Sequence, residues 1–248
     1  YSSYIFLGGI VVLPFTYVSN IVLSSGIGIQ IFAILSVFST WQGVLTFFPV
    51  TYSKVVLPFI SGNKTVQSRI NKFVLATRIN NLSVYFIYLF LMFSSPFILD
   101  LYGENYVIYS KLFSLFLGST AIAFLGNTYG AQVQVKGFRY TIIFGNLIVG
   151  VSILLFSFLF HKEIGLLSLC LGMLVGYCLG FFVSFFTIII KDNFPMILHI
   201  YVLITFLVML SLVLVNYFIN TYFLYSSIIS IVILFLIDKR LKKQLVKL

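Results

Sequence analysis

Charge is what this chain lacks most. Only 8% of its 248 residues are Asp, Glu, Lys or Arg, against about 25% in soluble domains. So few ionic side chains cannot cover a water-soluble fold of this size, so lipid must be the solvent for most of the surface. Acid is scarcer still, with five Asp and Glu residues in all and none near the middle of an apolar run. A carboxylate proton relay is therefore not visible in this chain. The two cysteines, Cys170 and Cys178, share one apolar run and read as small packing residues, not as a disulfide or metal framework. No HExxH, GxSxG or phosphate-cradling glycine loop occurs. His161 falls in a turn and His199 near a helix end, positions that suit the membrane interface better than catalysis. Neither an enzyme nor a metal or cofactor site is expected.

What remains is oil. Hydrophobic residues make up 61% of the chain, aromatic residues 19%, and the mean hydropathy is +1.14. Backbone groups in hydrocarbon need internal partners, so only helices or closed barrels can span it. Barrel strands alternate in polarity over about ten residues. Here the apolar runs continue for about 20 residues, the length of a spanning helix. The expected fold is all-α: a polytopic integral membrane bundle of about eight transmembrane helices. They run over Tyr4–Leu23 (helix a), Gly28–Ile60 (b), Phe73–Leu99 (c), Val107–Gln132 (d), Tyr140–Phe160 (e), Ile164–Ile190 (f), Met196–Val215 (g) and Ile219–Ile237 (h).

The net charge of +10 would suggest nucleic acid in a soluble protein. In this chain the bases sit in alternate loops and the tail, so the expected partner is the bilayer and not nucleic acid. Lys64, Arg69 and Lys72 lie between b and c, Lys136 and Arg139 between d and e, and Lys191 between f and g. Lys239, Arg240, Lys242, Lys243 and Lys247 form the tail, whereas the c–d connection carries Asp100 and Glu104. The positive-inside rule then puts the b–c, d–e and f–g loops and both chain ends in the cytoplasm, without a conflict across eight helices. The longest loop has about a dozen residues, too few for an extramembrane catalytic domain. The chain opens at Tyr1 directly into an apolar run, with no basic leader or cleavage site, and reads as the C-terminal part of a longer protein.

Several residues inside the spans could carry function, each against a plainer alternative. Pro14, Pro49 and Pro58 each remove a backbone hydrogen bond. They read either as fixed kinks or as hinges. Gly172, Gly176 and Gly180, and separately Gly126 and Gly130, recur every four residues and mark close helix packing. Asn20, Gln42, Thr46, Asn80, Asn81 and Asn127 either line an aqueous cavity or bond between helices. Ser36, Ser39 and Thr40 extend the polar set on helix b. Lys54, Arg78 and Lys111 either snorkel to the interface or form a cationic cavity for a phosphate-bearing head group.

Together, Trp41-Gln42-Gly43-Val44-Leu45-Thr46-Phe47-Phe48-Pro49, Lys54-Val55-Val56-Leu57-Pro58-Phe59-Ile60-Ser61 and Leu101-Tyr102-Gly103-Glu104-Asn105-Tyr106 resemble stretches of the polysaccharide or O-antigen flippases. These belong to the multidrug/oligosaccharidyl-lipid/polysaccharide exporter superfamily. The Asn127 to Gly137 region, glycine-rich helix f and Asn20 also fit that pattern. The resemblance implies that residues 1–190 form a six-helix C-terminal lobe, and that 191–248 add two helices and a basic cytoplasmic tail. Many such flippases are assigned twelve spans, so the added pair departs from the commonest pattern. The implied activity is movement of an undecaprenyl-pyrophosphate-linked oligosaccharide across a bacterial inner membrane for O-antigen or capsular polysaccharide synthesis. The implied partners are the lipid-linked oligosaccharide, an N-terminal lobe of the same protein and polysaccharide polymerase machinery. Alternatives are a small-molecule exporter of the same superfamily, a membrane-embedded polymerase or glycosyltransferase, and a non-catalytic scaffold. The topology is directly testable: a reporter active only in the periplasm should be silent when fused at Lys136 and active when fused at Glu104.

Overall fold

The computed structural model describes residues 2–61, 66–191, 194–218 and 232, and every regular element among them is helical. Ten helices follow in order: α1 (Ser2–Ile27), α2 (Gln30–Ser61), α3 (Val66–Phe93), α4 (Ser95–Asp100), α5 (Glu104–Val107), α6 (Ser110–Leu125), α7 (Asn127–Val135), α8 (Arg139–Ile164), α9 (Leu166–Lys191) and α10 (Met196–Phe218). Six stretches among the described residues are long and apolar enough to cross a membrane: Gln30–Tyr52, Ile70–Phe93, Ser110–Gln134, Tyr140–Ile164, Leu166–Lys191 and Met196–Phe218. A shorter apolar stretch, Ile10–Gly26, lies in α1. Expected helix h, apart from Val232, and the basic tail lie outside the described residues.

Two of the expected helices are broken. Helix c divides at Ser94, where Pro96 in the first turn of α4 ends the run of α3. Helix d divides into α5, α6 and α7, with Gly126 between the last two. Each break falls where an apolar run meets polar residues, Ser94-Ser95-Pro96 in one and Gly126-Asn127-Thr128 in the other. Pro14, Pro49 and Pro58 sit within continuous helices. Pro49 is buried, whereas Pro14 and Pro58 are exposed.

The polarity of α3 is inverted relative to a helix in water. Leu75, Ile79, Phe86, Phe90 and Phe93 recur at helical spacing and are exposed. Thr77, Asn80, Asn81, Tyr85 and Tyr88 face inward and are buried. A helix that shows phenyl rings to its solvent and hides asparagines is built for hydrocarbon. Together with the six apolar spans, this makes the chain a multi-pass helical membrane protein.

Sequence neighbours are not always spatial neighbours. α1 packs mainly along α8. Phe15 fills the space over Gly150, and eleven residues further along both helices His161 fills the space over Gly26, so the two helices run parallel. α9 lies antiparallel on α8. Each four-residue step from Gly172 to Gly176 to Gly180 is matched by a step back along α8 from Ile153 to Val149 to Gly145. α6 lies at the centre, with α2, α3, α9 and α10 against it. The starts of α3 and α10 meet the first turn of α7, where Phe73 stacks on Phe194 at 4.7 Å and edges Tyr129 at 5.5 Å. Lys191 at the end of α9 lies 4.7 Å from the ring centre of Phe138, just before α8. The connections read as basic therefore gather at one end of the bundle.

The glycine seam makes a quantitative prediction. A Cβ on Gly176 would sit 3.0 Å from the Val149 Cα, and one on Gly172 would sit 3.0 Å from the Ile153 Cα. Backbone cannot yield as a flexible side chain does. Gly176→Leu should force α8 and α9 apart and cost about 1–3 kcal/mol or more. Gly130 behaves differently, since an added Cβ meets nothing within 4 Å, so this half of the expected GxxxG pair in helix d is not a contact point. Gly130→Ala should be neutral or stabilising, by up to about 1 kcal/mol. Thermal unfolding in detergent compares the two.

Candidate functional site

Side-chain hydrogen bonds gather where hydrocarbon penalises them most, near the middle of the spans. On α2, Gln42 donates its Nε2–H to Thr120 Oγ1 at 2.9 Å. Further along the same helix pair, Asn127 donates its Nδ2–H to the Pro49 carbonyl at 3.1 Å. Both bonds join residues 78 apart in sequence, so α2 runs parallel to α6 and α7 in one register across the Gly126 break. The Tyr52 hydroxyl donates to the Ala76 carbonyl at 2.9 Å and ties α2 to α3.

α3 carries the densest part of this network. Asn80, fully buried, donates to the Phe124 carbonyl at 2.8 Å, and its amide also lies 3.3 Å from Asn81 Oδ1. Phe124 is two residues before Gly126, and its carbonyl accepts both a backbone N–H at the end of α6 and the Asn80 amide. Asn81 donates to Thr205 Oγ1 on α10 at 3.1 Å. Thr77 donates to Thr128 Oγ1 at 3.2 Å. These bonds join α2, α3, α6, α7 and α10 in one band. Of the two readings open for Gln42, Asn80, Asn81 and Asn127, the structure shows bonding between helices.

Two other candidates sit differently. Thr46 donates to the Gly43 carbonyl of its own helix at 3.0 Å. Asn20 on α1 is partly exposed, but its Oδ1 is buried with no hydrogen-bond partner among the described residues. The Trp41 Nε1 and Asn80 Oδ1 atoms share that condition.

The cations separate by depth. Lys54 is exposed on α2, and Arg78 is half-buried on α3. Each is two residues from the Tyr52–Ala76 bond, which sets both near the basic end. Lys111 is exposed in the first turn of α6, beside Met92 and Phe93 at the other end of α3. At 1.5 Å per residue, Arg78 lies about 20 Å from that level. Lys111 and Arg78 therefore do not line one compact site.

The face of α2 turned away from the bundle is the second feature. Phe32, Ser36, Ser39, Thr40, Gly43, Phe47, Val50, Thr51 and Lys54 are exposed at steps of three and four residues. Its opposite face buries Ile31, Leu35, Phe38, Leu45 and Pro49. Its hydroxyls fall in two groups, Ser36, Ser39 and Thr40, then Thr51 beside Lys54, with Gly43, Val44, Phe47 and Val50 exposed between them. From Ser36 to Lys54 the helix rises about 27 Å, close to the roughly 30 Å of a hydrocarbon core. α2 thus mixes hydroxyls, Lys54 and apolar side chains on its outward face, whereas the outward face of α3 is mainly apolar.

Some polar positions were not singled out from sequence. Thr77, Thr120, Thr128 and Thr205 are all buried bond partners. Threonine is common in membrane helices and satisfies its own i−4 carbonyl, so residue type alone gives no signal for them. Tyr129 and His199 form a buried pair, with 2.9 Å between the phenol oxygen and Nδ1. His199, expected at the membrane interface, is packed inside the bundle among Tyr129 and Phe185. Among the described residues no three His, Cys, Asp or Glu side chains come together to hold a metal ion.

Comparison with known protein families, curated proteins and solved structures finds no match. What the chain does must be argued from its own chemistry.

The Asn81–Thr205 bond can be isolated experimentally. In a double-mutant cycle of Asn81→Ala and Thr205→Val, the coupling should be about 0.6 kcal/mol, typical of hydrogen bonds between membrane helices. Chemical unfolding of the four proteins in micelles measures it, and a coupling of zero would remove the bond from the account.

Proposed function

We propose that this chain is part of a flippase that moves a lipid-linked oligosaccharide across a bacterial cytoplasmic membrane. One observation carries the reading, the outward stripe of Ser36, Ser39, Thr40, Gly43, Thr51 and Lys54 on α2. Three hydroxyls in the first half of the span and Thr51 with the Lys54 ammonium at its basic end are costly against lipid and suit a hydrated path. Sugar hydroxyls exchange hydrogen bonds with water and with such side chains at little net cost. The apolar lipid tail needs no path and stays in the bilayer. Phe32, Phe47 and Val50 in the same stripe offer flat apolar surface to the faces of sugar rings.

At the basic end, Lys54 and Arg78 supply positive charge for a pyrophosphate, whose oxygens pair well with guanidinium and ammonium groups. The resemblance of the α2 segment to polysaccharide flippases points the same way. In this reading a second lobe faces α1 and α2 and closes the path, and the buried band behind α2 keeps its wall rigid. Basic loops at one end assign that end, and both chain termini, to the cytoplasm. A polysaccharide polymerase would then take up the substrate on the outer side.

A non-catalytic scaffold is the competing reading, and the paired asparagines of α3 would suit it. It leaves the stripe on α2 without a purpose. The test uses the transporter as its cell makes it, reconstituted in vesicles, with arrival of a lipid-linked oligosaccharide at the far leaflet as the readout. Ser39→Leu with Thr40→Leu, and separately Lys54→Gln, should each slow transfer at least tenfold. Phe90→Leu, on the lipid-facing side of α3, should leave it unchanged. Full-rate transfer by the α2 variants would overturn the proposal.

A further inference from the structure

A second polar feature lies away from the α2 stripe, at the end of the bundle opposite the basic loops. A cavity of about 260 Å³ is lined there by Met92, Phe93, Ser95, Pro96, Ser110, Lys111, Ser114 and Asn216. The residues come from α3, α4, α6 and α10, and none from α2. The cavity is smaller than the roughly 300–1,000 Å³ of pockets for drug-sized ligands, and each of its polar side chains, an ammonium, three hydroxyls and an amide, can donate a hydrogen bond. Ser95, Ser114 and Asn216 are at least nine-tenths buried. Ser114 donates to Ser95 Oγ over a long 3.4 Å, which leaves the Ser95 hydroxyl proton with no acceptor among the described residues. The Lys111 ammonium and the Ser110 hydroxyl also make no hydrogen bond or ion pair among the described residues. α6 begins at this wall with no side-chain cap, so its first-turn N–H groups add positive potential.

Depth narrows the occupant. Ser110 opens one span, Phe93 closes a second, and Asn216 is two residues from the end of a third. The cavity is therefore at the edge of the hydrocarbon, where lipid phosphates lie. We infer that it is an anion site for the phosphate of a lipid head group, with Lys111 as counter-charge and Ser95, Ser110 and Ser114 as hydroxyl donors. Met92, Phe93 and Pro96 would pack against the glycerol region. A free phosphate ion has the same oxyanion chemistry, and the experiment separates the two sources. The inference does not rest on the transport proposal.

The whole chain in an uncharged detergent is melted with three probes: short-chain phosphatidylglycerol, the matching phosphate-free diacylglycerol, and inorganic phosphate. Phosphatidylglycerol should raise the melting temperature and diacylglycerol should not. If inorganic phosphate raises it equally, the site takes the free ion, and the lipid assignment falls while the anion site stands. Lys111→Gln should weaken the response roughly tenfold, as expected for one charge-assisted hydrogen bond, and Lys111→Arg should preserve it. Ser95→Ala with Ser114→Ala gives an independent variant that leaves the surface charge alone, and it should also weaken the response. Equal melting with phosphatidylglycerol and diacylglycerol, with no effect of inorganic phosphate, would overturn the inference. So would an undiminished response in both Lys111→Gln and the double serine variant.

Discussion

A polar group in hydrocarbon has no water to turn to, and this constraint organises the middle of the molecule. Asn80, Asn81, Thr77 and Gln42 point into the bundle because lipid offers them nothing, and they find partners on α6, α7 and α10. The interruption at Gly126 sits beside the same network. A backbone bond from Gly130 to Gly126 carries the chain across it. The Phe124 carbonyl before it also receives Asn80, and Asn127 just after it reaches the carbonyl of Pro49. Each bond is worth little on its own, about 0.6 kcal/mol by membrane precedent. Their larger effect is on register, because a slip of any helix would strand several polar groups in oil at once.

Close packing does the corresponding work on the other side. α8 and α9 have few polar groups between them and rely on the glycine seam, where backbone meets backbone. α1 is then placed by shape, with Phe15 over Gly150 and His161 over Gly26. In water such contacts would be helped by the hydrophobic effect. In lipid they are held by dispersion and fit, which is why glycine spacing matters more here than hydrophobicity.

The contrast between α2 and α3 connects fold to function. Both are long, both carry several polar residues, and they lie antiparallel side by side. α3 turns Asn80 and Asn81 inward and Phe86, Phe90 and Phe93 out. α2 sends Gln42 to Thr120 and Tyr52 to the Ala76 carbonyl, and leaves Ser36, Ser39, Thr40, Thr51 and Lys54 facing out. The outward faces of the two helices therefore differ, and the proposed hydrated path rests on that difference.

Much of the architecture was legible in the residues themselves. Low charge and long apolar runs sufficed to specify lipid as the solvent and helices as the elements. The four-residue glycine repeat of α9 marked a contact face, and the alternation of basic loops marked one end of the bundle. Tertiary structure decided the rest. The interruptions at Ser94 and Gly126 divide spans that hydropathy reads as continuous, and backbone bonds from Ile98 to Ser94 and from Gly130 to Gly126 carry the chain across them. Gly126 and Gly130 share a spacing with the α9 glycines, yet Gly130 faces open space, since spacing names a face and not what lies opposite it. For the same reason, composition could not separate the inward asparagines of α3 from the outward hydroxyls of α2. A polar residue in a span announces that it needs a partner, but whether that partner is another helix or water depends on which way the helix is turned, and the rest of the bundle sets that rotation.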